Sequence, residues 1–250
     1  MNNPVLRVGV AALLAATPAA AQEPAPAPPP AVPPAHTVRL ALDLGFVNAA
    51  GNTDVTTFSF AETFEVKASR WSAQEFASTV YGRSRDSTTA EQIKAGGRLD
   101  LKLISVLHAF VGVIYERNRF AGIARRFEEY AGLAVRVIDR PATLWTLEVG
   151  SSLNQQRNTL GTDLGFAAGR VATQLRHNFT RATYVEEKAE ILPNLDTMDD
   201  LRVNSETTVV APISSRVALK LLYAVKFDNL PELGFDRTDR VFTTAVQIVF

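Results

Sequence analysis

The chain has 250 residues, 46% of them hydrophobic, with 26 Lys and Arg against 26 Asp and Glu and no cysteine. Balanced charge gives no global field to gather nucleic acid, so no nucleic-acid partner is expected. Absence of thiols excludes disulfides, iron–sulfur clusters and thiolate zinc sites. Beyond the leader no apolar run approaches the roughly 18 to 20 residues of a transmembrane helix, which rules out a helical span and leaves a strand-built one open.

Residues 1–21 have a weakly basic start at Arg7, an apolar core from Val8 to Ala16 and the small-residue ending Ala19-Ala20-Ala21. That layout predicts a cleaved secretory signal. Residues 22–37 follow as a Pro/Ala-rich tract, in which so many backbone donors are missing that neither ladder nor helix forms; an extended periplasmic spacer is expected. The remainder, 38–250, reads as one domain of strands.

In chain order, Leu40, Leu42, Leu44 and Phe46 alternate with Ala41, Asp43, Gly45 and Val47, and Ala50 to Asp54 supplies turn residues. Phe58, Phe60, Phe64 and Val66 share the next row, which Glu62 interrupts. The segment 71–82 is ambiguous in period, with Phe76 and Val80 on one side and Trp71 and Tyr81 on the other, and a polar loop is expected at 83–89. Ile93, Ala95, Gly97, Leu99 and Leu101 then face away from Lys94, Gly96, Arg98, Asp100 and Lys102, the sharpest separation of apolar from charged side chains in the chain.

Hairpins continue through Leu107–Glu116, Phe127–Ile138, Thr143–Leu153, Gly165–Leu175, Ala182–Leu192, Leu201–Ala211 and Arg216–Phe227. In 182–192 the run Glu186-Glu187-Lys188 leaves inside and outside undecided. The last strand places Phe242, Thr244, Val246, Ile248 and Phe250 in one row. An aromatic at that position resembles the closing strand of bacterial outer-membrane barrels, so Phe250, Ile248 and Val246 are the expected signal to the barrel-assembly machinery. Short connections near 69, 102–106, 139, 177–180 and 212 alternate with longer polar ones near 49, 83, 117, 155, 193 and 228, as periplasmic turns and outside loops do.

About twelve strands of the length that crosses a bilayer predict an all-β, antiparallel up-and-down transmembrane β-barrel. Asp43, Lys94, Arg98, Asp100, Arg136, Glu148, Lys220 and Lys226 are the candidate lumen-lining residues, and Tyr115, Arg117 and Arg119 a candidate basic and aromatic outer rim. A soluble periplasmic β-barrel holding a small apolar ligand also satisfies the alternation and the leader. It does not account for a dozen hairpin-linked strands with ionic rows opposite apolar ones.

Leu42-Asp43-Leu44-Gly45-Phe46-Val47-Asn48 with Gly51-Asn52-Thr53-Asp54, Trp71, Tyr81-Gly82 and Tyr115-Glu116-Arg117-Asn118-Arg119-Phe120 resembles the bacterial family called domain of unknown function 481, over residues 40–250. Its members are often described as salt-induced outer-membrane proteins. The resemblance implies an outer-membrane β-barrel and brings no catalytic residue, cofactor or ligand.

Chemistry is thinly represented. The three histidines, His36, His108 and His177, fall in the spacer or beside short turns, and no Gly-x-Ser-x-Gly occurs, so no catalytic residue of a rim-sited hydrolase is assigned. Too few His and no Cys argue against a metal site, the acidic loop 196–200 reads as solvated, and no cofactor is expected. The expected function is therefore a passive one in the envelope, a narrow solute pore linked to salt or osmotic response, with a closed structural barrel or a lipopolysaccharide-docking protein as alternatives. The expected partners are outer-membrane lipid and lipopolysaccharide.

Overall fold

The computed structural model describes residues 36–50, 55–84, 87–180, 182–232 and 234–250, with backbone alone at 46–50, 55–57, 83–84, 87–90 and 120. The expected signal segment and all but the end of the expected spacer lie outside the described residues. Twelve strands form one closed antiparallel ring in which every strand pairs with its sequence neighbours and β1 closes on β12. They are β1 (His36–Ala50), β2 (Val55–Ala68), β3 (Trp71–Ser84), β4 (Ser87–Lys102), β5 (Leu107–Asn118), β6 (Ile123–Asp139), β7 (Thr143–Asn158), β8 (Asp163–Asn178), β9 (Tyr184–Pro193), β10 (Leu201–Pro212), β11 (Val217–Asp228) and β12 (Thr238–Val249). Closure leaves no strand edge with unpaired amides, the condition for a sheet to stand in hydrocarbon.

The seam shows why the ends of the chain matter to the ring. Asp43 pairs with Gln247 and Leu44 with Val246 in the β1–β12 register. Phe250 N donates to Leu40 O at 2.9 Å and Leu40 N to Phe250 O at 3.2 Å, so the ladder runs to the last residue of the sequence.

Three boundaries differ from expectation. β1 begins at His36, which pairs with Ala68, so His36 and Thr37 belong to the barrel and not to a spacer. Most of the loop expected at 83–89 is strand, because β3 runs to Ser84, β4 starts at Ser87 and these two residues pair. β7 likewise runs on to Asn158 through the polar row Asn154, Gln156 and Asn158. Asn154, Gln156 and Asn158, which look loop-forming in sequence, are strand residues facing the barrel interior, where Asn154 donates to Ser152, Gln156 accepts from Arg126 and Asn158 donates to Glu232. The contrast in connection length between the two ends is accordingly smaller than expected, and only 194–200 and 229–237 are long. His36 and Phe250 share one end of the barrel, the terminus end, and the opposite end is the loop end.

Side chains are distributed inside out relative to a water-soluble domain. Leu99, Leu101, Val111, Val113, Leu133, Val135, Val149 and Val171 are exposed, whereas Asp43, Glu116, Glu148, Asn154, Arg202 and Gln247 are buried. Alternation along each strand produces this directly, since consecutive side chains point to opposite faces. The exposed apolar band matches the lipid-facing wall of a transmembrane barrel, flanked here by Trp71 near the terminus end and Tyr81 near the loop end.

The two undecided strands are settled by their neighbours. Register with β2 and β4 turns Phe76 and Val80 inward, and Trp71, Glu75 and Tyr81 outward. Register with β8 and β10 turns Glu186, Lys188 and Glu190 inward and Glu187 outward. The outward carboxylate of Glu187 accepts from Ser205 Oγ at 2.8 Å and Thr207 Oγ1 at 2.5 Å, two hydroxyls of β10 on the same outer face.

Candidate functional site

The barrel interior holds a small apolar cluster and, around it, a network of ion pairs. Phe110 on β5 and Tyr130 on β6 are buried inward residues whose rings lie 6.0 Å apart, with Ala134 and Ile114 beside them. Gly132 on β6 makes this possible, since a Cβ there would lie 2.6 Å from Phe110 Cζ.

Guanidinium groups cover these rings. Arg98 Cζ stands 4.2 Å from the Phe110 centroid, and Arg170 Cζ 5.6 Å from Phe110 and 5.4 Å from Tyr130. Both arginines converge on Glu148, with Arg98 Nη2 at 2.8 Å from Oε1 and Arg170 Nη1 at 2.6 Å from Oε2. Arg98 also takes Asp100 through Nε at 2.9 Å and Nη2 at 2.7 Å, and Arg170 takes Glu190 at 3.2 Å. The result is a ladder of alternating charge running from β4 through β7 and β8 to β9. Two planar guanidiniums sharing one carboxylate fix its orientation more firmly than ammonium groups would.

A second group lies toward the loop end. Glu116 on β5 accepts from Lys226 Nζ of β11 at 3.0 Å and from Gln92 Nε2 at 3.2 Å, with Arg126 Nη1 at 3.7 Å. A third lies on the seam side, where Asp43 accepts from Lys220 Nζ at 2.6 Å and Gln247 Nε2 at 2.8 Å.

All eight residues singled out as lumen-lining stand on inward positions of the register: Asp43, Lys94, Arg98, Asp100, Arg136, Glu148, Lys220 and Lys226. They do not form one site. Arg98, Asp100 and Glu148 belong to the ladder, Lys220 pairs with Asp43, and Lys226 pairs with Glu116. Lys94 Nζ lies 5.9 Å from the Phe76 ring, while Arg136 keeps to the terminus end with Asp139 at 2.8 Å.

Sequence reasoning missed Glu116, Arg126, Arg170, Glu186, Glu190 and Arg202 as interior groups. Glu116 and Arg126 stand next in sequence to Arg117 and Arg125. Strand alternation sends Arg125 out and Arg126 in, and that parity was the signal that could have separated them.

The rim residues are outward at the loop end. Tyr115 packs on Phe127 at 5.0 Å between centroids, and Arg117 Nη2 is 2.7 Å from Glu91, which Arg119 Nη1 also approaches at 3.9 Å. Glu91 thus neutralises part of the basic rim. Phe250 and Val246 are exposed on the outer wall, and Ile248 shares their face. His108 is inward and His177 outward, both near the terminus end, where His177 Nδ1 lies 2.9 Å from Thr143 Oγ1. In the acidic loop, Asp196 accepts from Ala167 N and Asp200 from Asn194 Nδ2, so these carboxylates are used to fold the loop.

Residues 42–250 match the family described as "Protein of unknown function, DUF481". The chain belongs to this family. A relative, "Uncharacterized protein YdiY" of Escherichia coli (strain K12), is 24% identical over 217 residues, covering 82% of this chain and 80% of its own. Among solved structures the barrel is similar to the NanC porin, at a TM-score of 0.56 and 10% identity over 83% of this chain and 98% of that one. It is also similar to the translocator domain of the autotransporter NalP from Neisseria meningitidis, at 0.52 and 13% over 85% and 88%. The KdgM porin, solved in complex with disordered oligogalacturonate, gives 0.50 and 8% over 84% and 99%. At these identities the likeness is one of fold, and it places the family among closed barrels whose structural neighbours include outer-membrane porins.

Proposed function

We propose that this member of the family is a passive, non-enzymatic outer-membrane barrel whose lumen is a narrow pore for small hydrophilic solutes. The observation that carries the reading is the inside-out wall: apolar side chains outward on every strand and a hydrated-type lining of paired charges inward. Two porins among the structural neighbours support it. In this reading the terminus end faces the periplasm. Lipid and lipopolysaccharide surround the wall, and the assembly machinery reads the outward row Phe250, Ile248 and Val246. Participation in a salt or osmotic response belongs to the same proposal, and growth of a deletion strain across a range of external salt tests it.

Side chains that meet across the interior set the bore. Lys226 and Glu116 join opposite walls at 3.0 Å, so free passage is confined to the spaces on either side of that bridge. This same contact favours the second reading, a closed structural barrel. Purified protein shown to be folded by its altered migration on an unboiled gel, and then inserted into planar bilayers, separates the two. Small discrete current steps support the pore, and folded protein that gives no steps supports the closed barrel.

A further inference from the structure

Most interior cations among the described residues are paired, although Lys94 stands beside the Phe76 ring. Arg98, Arg170, Arg176, Lys188, Lys220 and Lys226 each meet a carboxylate within 4 Å. Arg202 departs from that rule. It is the second residue of β10, inward, 7% exposed, between Leu192 of β9 and Asp228 of β11. Among the described residues neither its Nε nor its Nη2 has a hydrogen-bond acceptor.

Charged groups near enough to act on it include Arg126, Glu128, Asp200 and Asp228, and none of the three carboxylates forms an ion pair with it among the described residues. Two of those carboxylates are held by other donors: Asp228 Oδ1 accepts from Leu230 N at 3.0 Å, and Asp200 Oδ2 from Asn194 Nδ2 at 2.8 Å. Arg126 is a second cation nearby, engaged through Nε with Gln156 at 2.7 Å and lying 3.7 Å from Glu116, and as a donor-only group it adds to the positive field around Arg202. Phe166 of β8 lies under the guanidinium, with Arg202 Cζ 5.0 Å from the ring centroid.

Nε–H and Nη2–H are the two donors on one edge of a guanidinium plane. They point the same way, at the spacing of two oxygens of a carboxylate or phosphate. A buried charged fork with both edge donors unpaired and a ring beneath it is the form of an oxyanion receptor, because buried polar groups are otherwise satisfied within the fold. Its place is near the loop-end mouth, just after the 194–200 loop and beside the start of the 229–237 loop.

We propose that Arg202 is an oxyanion-binding residue of the lumen, taking the carboxylate or phosphate of a small solute on its Nε/Nη2 edge with Phe166 beneath the guanidinium. The inference deepens the pore reading by naming the solute class, and it rests on that reading only for the route by which the solute arrives.

Titration calorimetry tests it on the full mature chain in a neutral sugar detergent, at constant ionic strength in Tris chloride, since sulfonate buffers would compete. Inorganic phosphate and acetate are the two probes, and they separate phosphate from carboxylate preference. The wild type is expected to give saturable binding with at least one of them. Arg202→Gln is expected to weaken it tenfold or more, and Arg202→Lys to fall between, because an ammonium keeps the charge and loses the fork. Absence of saturable binding with both anions in folded wild-type protein overturns the proposal, and so does unchanged affinity in Arg202→Gln. Should Arg202→Gln not fold, nitrogen-labelled arginine in the wild type serves instead: one buried Nε–H resonance moving saturably with the anion supports the site, and none moving overturns it. Binding by protein that gives no current steps supports the site and removes the pore; steps without binding remove the site and leave the pore.

Discussion

Lys226 on β11 and Glu116 on β5 meet at 3.0 Å although their strands stand on opposite sides of the ring, separated by β6 to β10 on one side and by β12 and β1 to β4 on the other. No backbone ladder connects them. The contact is made across the interior, and it ties the two walls together at one level. A part-buried pair of this kind adds little net stability against an apolar pair, because desolvation of the charges offsets their attraction. Its main consequence is geometric, since it spans the interior at one level of a ring whose diameter is set by strand number and shear.

Replacing both partners, Lys226→Met with Glu116→Gln, removes the bridge without leaving either charge alone. Single-channel conductance in planar bilayers is expected to rise about twofold or more, with folding retained on the unboiled gel. Unchanged conductance would show that solutes do not pass at this level.

Glu148 behaves differently, because two guanidiniums depend on it. Glu148→Gln leaves Arg98 and Arg170 short of one shared anion in the interior, and breaking one partner of a buried network costs about 3 to 5 kcal/mol. Urea unfolding of protein reconstituted in lipid vesicles, followed by the gel shift, measures this. A loss under about 1 kcal/mol, the size of a solvent-exposed pair, would mean that water fills the ladder region and screens it.

The outer wall carries its own anomalies. Glu62 and Glu75 point outward in the middle of β2 and β3, beside Leu42, Phe64, Ala77 and Gly97. Carboxylates facing hydrocarbon are unfavourable, by less than the ~2–4 kcal/mol of a midplane Lys or Arg. Glu62→Leu is therefore expected to raise unfolding stability by about 1 to 2 kcal/mol in vesicles. Glu187→Leu is expected to gain less, since it also discards the hydrogen bonds from Ser205 and Thr207. Equal gains, or a loss at Glu62, would place that part of the wall against something other than acyl chains.

Much of the barrel was legible because strand parity and hydrophobic contrast coincide in most strands. β4 shows it best, with Leu99 and Leu101 outward and Arg98 and Asp100 inward. Legibility failed where the contrast reverses. In β3 an aromatic, Phe76, faces in while Glu75 faces out, and in β9 Glu187 faces out between inward Glu186 and Lys188. Neighbouring ladders, not local composition, decide those faces. The interior site was legible only as a set of inward charges. Which charge meets which depends on partners far apart in the chain, as Lys226 and Glu116 are, and the unpaired fork of Arg202 can be seen only once its neighbours are in place.

The central claim is that the exposed apolar face meets lipid. Both tryptophans test it, because Trp71 and Trp145 are the only two in the chain and both stand on outward positions near the terminus end. Their fluorescence, in protein reconstituted into vesicles with brominated acyl chains, is expected to be strongly quenched, more so when the bromines lie near the headgroup end of the chain than near the bilayer centre. Fluorescence untouched by brominated lipid and quenched instead by aqueous iodide would contradict the account.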